Sequence, residues 1–246
     1  MTTPKPTVLL TGAAGKIGTT IRTTLADRYH FRLLDRAPIP NEPDTIVTDL
    51  GDLAVLRNAM EGAEAVVHLA ATPVEAPFLE NLVPNNIIGA YNTFEAARLA
   101  GVRRIVFAST CQVVTNYPHD HFVTITDPPN PLSVYGATKH FGETLGRWFY
   151  DKHGIEFLGV RIGWYSPHND TELLRSNQSF RRLWLSEPDC ARFFELSLSV
   201  PEIGYAVVFA TSKNDPQWLD LQPARDVLGY EPQSDARSIP FAGTVE

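Results

Sequence analysis

Near the start of the chain a short apolar run, a glycine cluster and a helical apolar pattern follow one another without a gap, and this sequence of features limits the fold more than any other. Thr7 to Thr11 predicts a buried strand, and Ile17, Ile21 and Leu25 recur at helical spacing. Between them lies Thr11-Gly12-Ala13-Ala14-Gly15-Lys16-Ile17-Gly18, with glycines at GxxGxxG spacing. The first glycine permits a tight turn, the second lets backbone amides approach a pyrophosphate, and the third allows the helix to pack closely on the strand. The anion then sits on the positive end of the helix. A purely structural turn is the plainer reading, but the flanking strand and helix favour a dinucleotide site.

The alternation continues. Phe31 to Asp35, Thr45 to Leu50, Ala65 to Ala71 and Arg104 to Thr110 read as strands, with helices expected over Leu53 to Met60 and Asn85 to Ala100. Strands alternating with helices imply a parallel sheet, and Gly101 suits a left-handed helix cap. A proline-bearing loop over 111–134 leads into a helix from Tyr135 to His153 with Phe141, Leu145, Trp148 and Phe149 on one side. Phe157 to Gly163 and Tyr205 to Thr211 are further strands, separated by a polar stretch from Ser166 to Arg182 and a helix from Glu187 to Leu198. Ser186 with Asp189 forms a candidate capping box, and Trp218, Leu219, Val227, Leu228 and Tyr230 suggest a final helix and turn. The expected fold is α/β, a Rossmann-type doubly wound parallel sheet. Residues 1–246 form one domain, in which 164–204 and 213–246 contribute a small C-terminal substrate-binding part.

Composition removes several partners. A net charge of -7 leaves no basic excess for neutralising nucleic-acid phosphates or anionic lipid. No apolar run approaches the roughly 20 residues needed to span a bilayer, so no membrane partner is expected. Cys111 and Cys190 are the only cysteines, and no secretory pattern precedes the first strand. A reducing cytoplasm is the expected location. His68, His119, His121, His140, His153 and His168 show no metal-ligand spacing, and no metal is expected.

Asp35 lies 23 positions after Gly12, at the end of the second strand. A carboxylate there accepts hydrogen bonds from the adenosine ribose and repels a 2'-phosphate. Arg36 follows and could bind that phosphate, so NAD is expected ahead of NADP. Asp49, before Leu50, could meet the adenine edge or simply form a turn. Tyr135-Gly136-Ala137-Thr138-Lys139 places a phenol and an ammonium four residues apart on one helix face. The ammonium and an oxidised nicotinamide each carry positive charge, which favours the phenolate and is expected to lower the phenol pKa. Such a pair is common on helix surfaces, but its place after the fifth strand suits catalysis. Ser109 and Thr110 end that strand, where ligands of open α/β sheets bind. Thr110 is the expected substrate-orienting hydroxyl, although both hydroxyls could merely satisfy backbone groups. Asn86 could hold a water or the lysine, or simply begin a helix.

The glycine turn, Asp35, His68-Leu69-Ala70-Ala71, Asn86, Ser109-Thr110 and Tyr135 with Lys139 together resemble the extended short-chain dehydrogenase/reductase family over nearly the whole chain. The resemblance implies catalysis by Thr110, Tyr135 and Lys139 with support from Asn86. It implies NAD held by Gly12, Ala14, Gly15, Lys16, Ile17, Gly18, Asp35, Arg36, Asp49, Leu50, Leu69, Ala70, Ala71 and Ile162, besides Asn86, Tyr135 and Lys139. Asn85 to Gly89, Arg104 to Thr110, Arg161 to Gly163, Trp184 to Ser186 and Ala224 to Tyr230 look most like the uronate dehydrogenase branch and the related archaeal NAD-dependent glucose-6-phosphate dehydrogenases.

Such enzymes oxidise the anomeric carbon of a cyclic sugar to a lactone, which would make Tyr135 the base. Thr72, Pro73, Thr110, Cys111, Gln112 and Tyr135 are the implied substrate contacts. Pro73 and Gln112 stand where that branch carries a serine and a histidine, so the pocket departs from its pattern. A basic loop offers Arg175, Arg181 and Arg182 for an anionic group, with Arg175 and Arg181 taken as candidate contacts. A solvated helix face is the plainer reading of that loop. The competing functions are a nucleotide-sugar epimerase or dehydratase, disfavoured by the short C-terminal part, and a non-catalytic NAD(P)-sensing protein, disfavoured by the intact YxxxK. Apolar residues on more than one side of helices 85–100 and 135–153, including Tyr91, Phe94, Trp148 and Phe149, together with the resemblance point to a homodimer.

Overall fold

The computed structural model describes residues 4–166 and 171–242; His168 lies outside the described residues. Seven parallel strands form the central sheet: β1 (Thr7–Thr11), β2 (His30–Asp35), β3 (Ile46–Val47), β4 (Ala65–His68), β5 (Arg104–Thr110), β6 (Glu156–Ile162) and β9 (Tyr205–Ala210). A separate parallel pair joins β7 (Trp164–Ser166) to β8 (Trp184–Ser186). The large sheet runs β3-β2-β1-β4-β5-β6-β9, so the chain builds outward from β1, returns, and builds the other way from β4. The crevice outside the carboxyl ends of β1 and β4 is where this topology leaves room for a ligand.

Helices cover both faces because the strand residues alternate between two cores. Val8, Leu10, Val106 and Val160 pack with Ile21 of α1 (Lys16–Thr24), Phe193 of α7 (Glu187–Ser199) and Leu228 of α8 (Gln222–Leu228). On the opposite face Leu9, Val66, Ile105 and Phe107 meet Leu56 of α2 (Leu53–Met60), Phe94 of α3 (Gly89–Ala100) and Phe149 of α4 (Val134–His153). Ser133 caps α4 by accepting the Gly136 amide at 3.0 Å, and Gly154 ends it in the left-handed region. Among the described residues no helix is long and apolar enough to cross a membrane.

Several expectations need correction. The strand expected over Thr45 to Leu50 shrinks to Ile46–Val47, because the Asp49 carboxylate takes the Gly51 amide at 2.7 Å and turns the chain. The strand expected to reach Ala71 ends at His68, where Ala70 N donates to the Thr11 hydroxyl. The helix expected over 85–100 is two segments. A π-helical stretch, Phe78–Ile88, runs into α3, with Pro84 inside it lacking an amide to donate. The polar stretch expected from Ser166 to Arg182 begins at the last residue of β7 and contains α5 (Thr171–Ser176) and most of α6 (Gln178–Leu183). Ser186 does cap α7, but the reciprocal half of the box is relayed. Ser186 N donates to Ser212 Oγ (2.9 Å), which donates to Asp189 Oδ2 (2.7 Å). The same buried carboxylate accepts the amides of Gln233 and Ser234, tying the C-terminal segment to α7.

Candidate active site

A cleft of about 1070 Å³ opens along the carboxyl ends of β1, β2, β4, β5 and β6, at the large end of the range for small-molecule and cofactor sites. Its first half is the glycine turn. Gly12 has φ 72°, and a Cβ on it would lie 2.7 Å from Ala70 N, so only glycine lets the turn approach the end of β4. Thr11 reinforces this junction by pairing its hydroxyl with His68 Nδ1 at 2.8 Å. Burial, with Lys139 nearby, pushes His68 down to about 3 and keeps the imidazole neutral.

Asp35 Oδ2 accepts the Ala14 amide at 2.9 Å, which holds the carboxylate over the turn. Ala14, Gly15, Lys16, Ile17, Gly18, Arg36, Asp49, Leu50, Leu69, Ala70, Ala71 and Ile162 line the cleft around it. This cradle fits a dinucleotide: amides and a helix start for the pyrophosphate, a carboxylate for the ribose, and apolar walls for the adenine.

Deeper in, Thr110, Cys111, Gln112, Tyr135 and Lys139 line the same cleft with Pro73. The Thr110 hydroxyl accepts the Gln112 amide at 3.3 Å and lines the cleft together with the Tyr135 phenol. Burial pushes the Tyr135 phenol up, against the lowering expected from Lys139; the Thr110 hydroxyl works in the opposite direction. Lys139 itself is lowered by burial to about 7, which weakens its charge at neutral pH. Its Nζ lies 6.0 Å from the Tyr135 ring centroid and 5.0 Å over the Phe107 ring.

Ser109 also lines the cleft, but its hydroxyl is engaged, donating to Glu143 Oε1 at 2.5 Å, while Arg161 donates to both oxygens of Glu143 at 2.9 and 2.8 Å. Burial alone would raise the Glu143 carboxyl; the bonds from Arg161, His140 and Ser109 outweigh it and hold it below its usual value. This network anchors α4 to β5 and β6 and leaves Thr110 as the hydroxyl available in the cleft. The sequence reading missed it, although Glu143 stands one helical turn beyond Lys139. Glu75, also missed, accepts the Tyr135 amide at 2.9 Å.

Four expected residues are elsewhere. Asn86 does not reach Lys139. Its amide donates to Thr138 Oγ1 (2.9 Å) and Thr72 O (3.1 Å), and its carbonyl accepts the Thr72 amide (2.8 Å). It therefore positions the loop and helix on either side of the reacting groups. The Thr72 hydroxyl turns away from the cleft, donating to Asn81 O and accepting from Asn85 Nδ2. Arg175 is exposed on α5 and outside the cleft lining. Arg181 is buried behind the wall, its guanidinium donating to the carbonyls of Leu174, Asp215, Ala236 and Ile239.

Arg182 lines the cleft instead. It is 8% exposed, its Nε has no partner among the described residues, and no carboxylate pairs with it there. Around it stand residues not foreseen from the sequence, among them Trp164, Ser179, Trp218 and His119, whose ring meets Trp218 edge to face at 6.0 Å.

Residues 8–183 match the NAD dependent epimerase/dehydratase family. A NAD-dependent glucose-6-phosphate dehydrogenase of Haloferax volcanii is 38% identical, covering 96% of each chain. A uronate dehydrogenase of Pseudomonas syringae pv. tomato is 35% identical over 95% of this chain and 84% of its own. Among solved structures, a mutant uronate dehydrogenase from Agrobacterium tumefaciens complexed with NAD superposes with a TM-score of 0.85 at 34% identity, covering 96% of this chain and 87% of that one.

Proposed function

The chain belongs to the NAD dependent epimerase/dehydratase family, and from that premise we propose that it is a NAD-dependent dehydrogenase acting at the anomeric carbon of an anionic hexose. The observation that carries this reading is one cleft that holds the glycine turn, Thr110 and Tyr135, and a buried Arg182 with no carboxylate partner among the described residues.

The substrate hydroxyl on C1 sits between Thr110 Oγ1 and the Tyr135 phenol. Tyr135 takes the proton from that hydroxyl, as the phenolate that the positive charge of an oxidised nicotinamide would favour against burial, while Thr110 donates a hydrogen bond to the oxygen. Lys139, its charge weakened by burial, stands beside the phenol and would hold the cofactor ribose. Bound NAD supplies the acceptor for the hydride leaving C1, so the carbon is oxidised by two electrons as the lactone carbonyl forms. Asp35 favours NAD over NADP through the ribose hydroxyls. Arg182 offers its guanidinium to a carboxylate, phosphate or sulfonate on the far side of the ring. Asn86 acts through Thr72 and Thr138 as a positioning residue.

Segments 164–204 and 213–246 form the small substrate-binding part of a single domain. Exposed Tyr91 and Leu99 on α3 and Phe141 and Trp148 on α4 supply an apolar surface for a homodimer, which a doubled mass in sedimentation checks. The cytoplasm suits two free, buried cysteines.

The test is NADH formation with galacturonate, glucuronate, glucose 6-phosphate, sulfoquinovose and neutral hexoses. Reduction with an acidic sugar is expected, and Tyr135→Phe should lower turnover by about 100-fold or more while leaving NAD affinity nearly unchanged. Activity only with nucleotide sugars would overturn the reading in favour of an epimerase.

A further inference from the structure

Trp164 is 46% exposed although it lines the wall of a deep cleft. A large aromatic face left open inside a concave site is a binding surface awaiting an apolar partner. Three observations place it beside the sugar and away from the cofactor. First, Ile162 pairs with Thr110, so Trp164 stands two residues beyond the carboxyl edge at which Thr110 acts. Second, the Tyr165 hydroxyl is bonded to Thr20 of α1, the helix that follows the glycine turn. Successive side chains of β7 point to opposite faces, so Trp164 faces away from that helix. Third, the edge of Phe180 meets the Trp164 ring at 4.6 Å and 76°, and Phe180 stands in α6 two residues before Arg182. Both the indole and Arg182 line the same cleft.

The platform is held in place. A Cβ on Gly163 would lie 2.1 Å from Leu183 O, so the backbone before Trp164 lies against the end of α6, and Trp164 itself is in register with Trp184. We propose that Trp164 is a specificity-determining residue, the surface on which the pyranose ring lies while its anionic group reaches Arg182. The inference rests on the dehydrogenase reading. A pyranose presents a face of C–H bonds that suits an indole, and an uncharged platform orients the ring without neutralising Arg182. An open-chain sugar has no such face, so the residue selects the ring form, the only form whose C1 oxidation yields a lactone directly.

The experiment measures steady-state kinetics of Trp164→Ala and Trp164→Phe with the acidic sugar that wild type oxidises best. Trp164→Ala is expected to raise the sugar KM about tenfold, with kcat within about threefold and the NAD KM unchanged; Trp164→Phe should recover most of the loss. An unchanged sugar KM in Trp164→Ala overturns the proposal, as does a raised NAD KM, which would make the indole a cofactor shelf. A variant that merely misfolds lowers kcat and loses NAD binding together, and that outcome also counts against a specific role. Silence of wild type across the sugar panel would overturn the dehydrogenase reading and this inference with it, whereas active wild type with an indifferent Trp164→Ala sinks the inference alone.

Discussion

At the end of the cleft nearest β1 the wall is mostly main chain: Gly12 at φ 72°, the amides of the turn, and the tips of β1 and β4 touching through Thr11 and Ala70. At the sugar end it is side chains, Trp164, Arg182, His119 and Trp218, carried by separate segments between residues 119 and 218 and fixed by Arg181 and Asp189 behind them. The first end depends on what a few consecutive residues can do with their backbone. The second depends on distant pieces arriving together, so it can change its ligand without disturbing the first.

The contrast breaks most visibly at Gly12. Gly12→Ala places a Cβ at 2.7 Å from the Ala70 amide in a left-handed conformation. It should weaken NAD binding by about 100-fold or prevent folding. Calorimetric titration with NAD and circular dichroism separate the two results, and an affinity near that of wild type would show that the turn is not backbone-limited.

Arg181→Met tests the other end. It strands four carbonyls, those of Leu174 and Ala236 in buried bonds, at a cost of roughly 1–3 kcal/mol for each one left without water, so melting should fall by several degrees and the sugar KM should rise. NAD affinity should stay within about twofold if the ends are independent. A matching loss of NAD affinity would erase the distinction.

Lys139 lies where the two ends meet and yields the smallest effect. Burial lowers it from 10.5 to about 7. Below pH 7 the folded chain carries the whole cost of a buried ammonium, and that cost fades as pH rises towards the unfolded value. Lys139→Met, although inactive, should therefore melt a few degrees above the parent at pH 6, with the gap closing by about pH 10. A gap that stays constant with pH would remove the titration from the account.

The same contrast explains what could be read from the sequence. β1, α2 and β5 were legible to the residue, because each combines a buried apolar run with a clear start and stop. The turn and the Tyr135 and Lys139 pair were legible because their chemistry lies within eight and five consecutive residues. β7 and β8 were not, since three residues carry no periodicity. Arg182 could not be told from Arg181, because neighbours on a helix differ by about 100° in direction and the bounds of α6 were unknown. Lys139 also failed to lower the Tyr135 pKa as expected, since spacing does not reveal how deeply a pair is buried.

Arg181 donates to carbonyls at residues 236 and 239, beyond the last strand of the sheet. During synthesis the amino-terminal portion leaves the ribosome first, so every strand has been made before the brace behind the sugar wall can close. A nascent chain can thus assemble its nucleotide cradle well before it can recognise a sugar. The order of manufacture postpones specificity to residues translated after the last strand of the sheet.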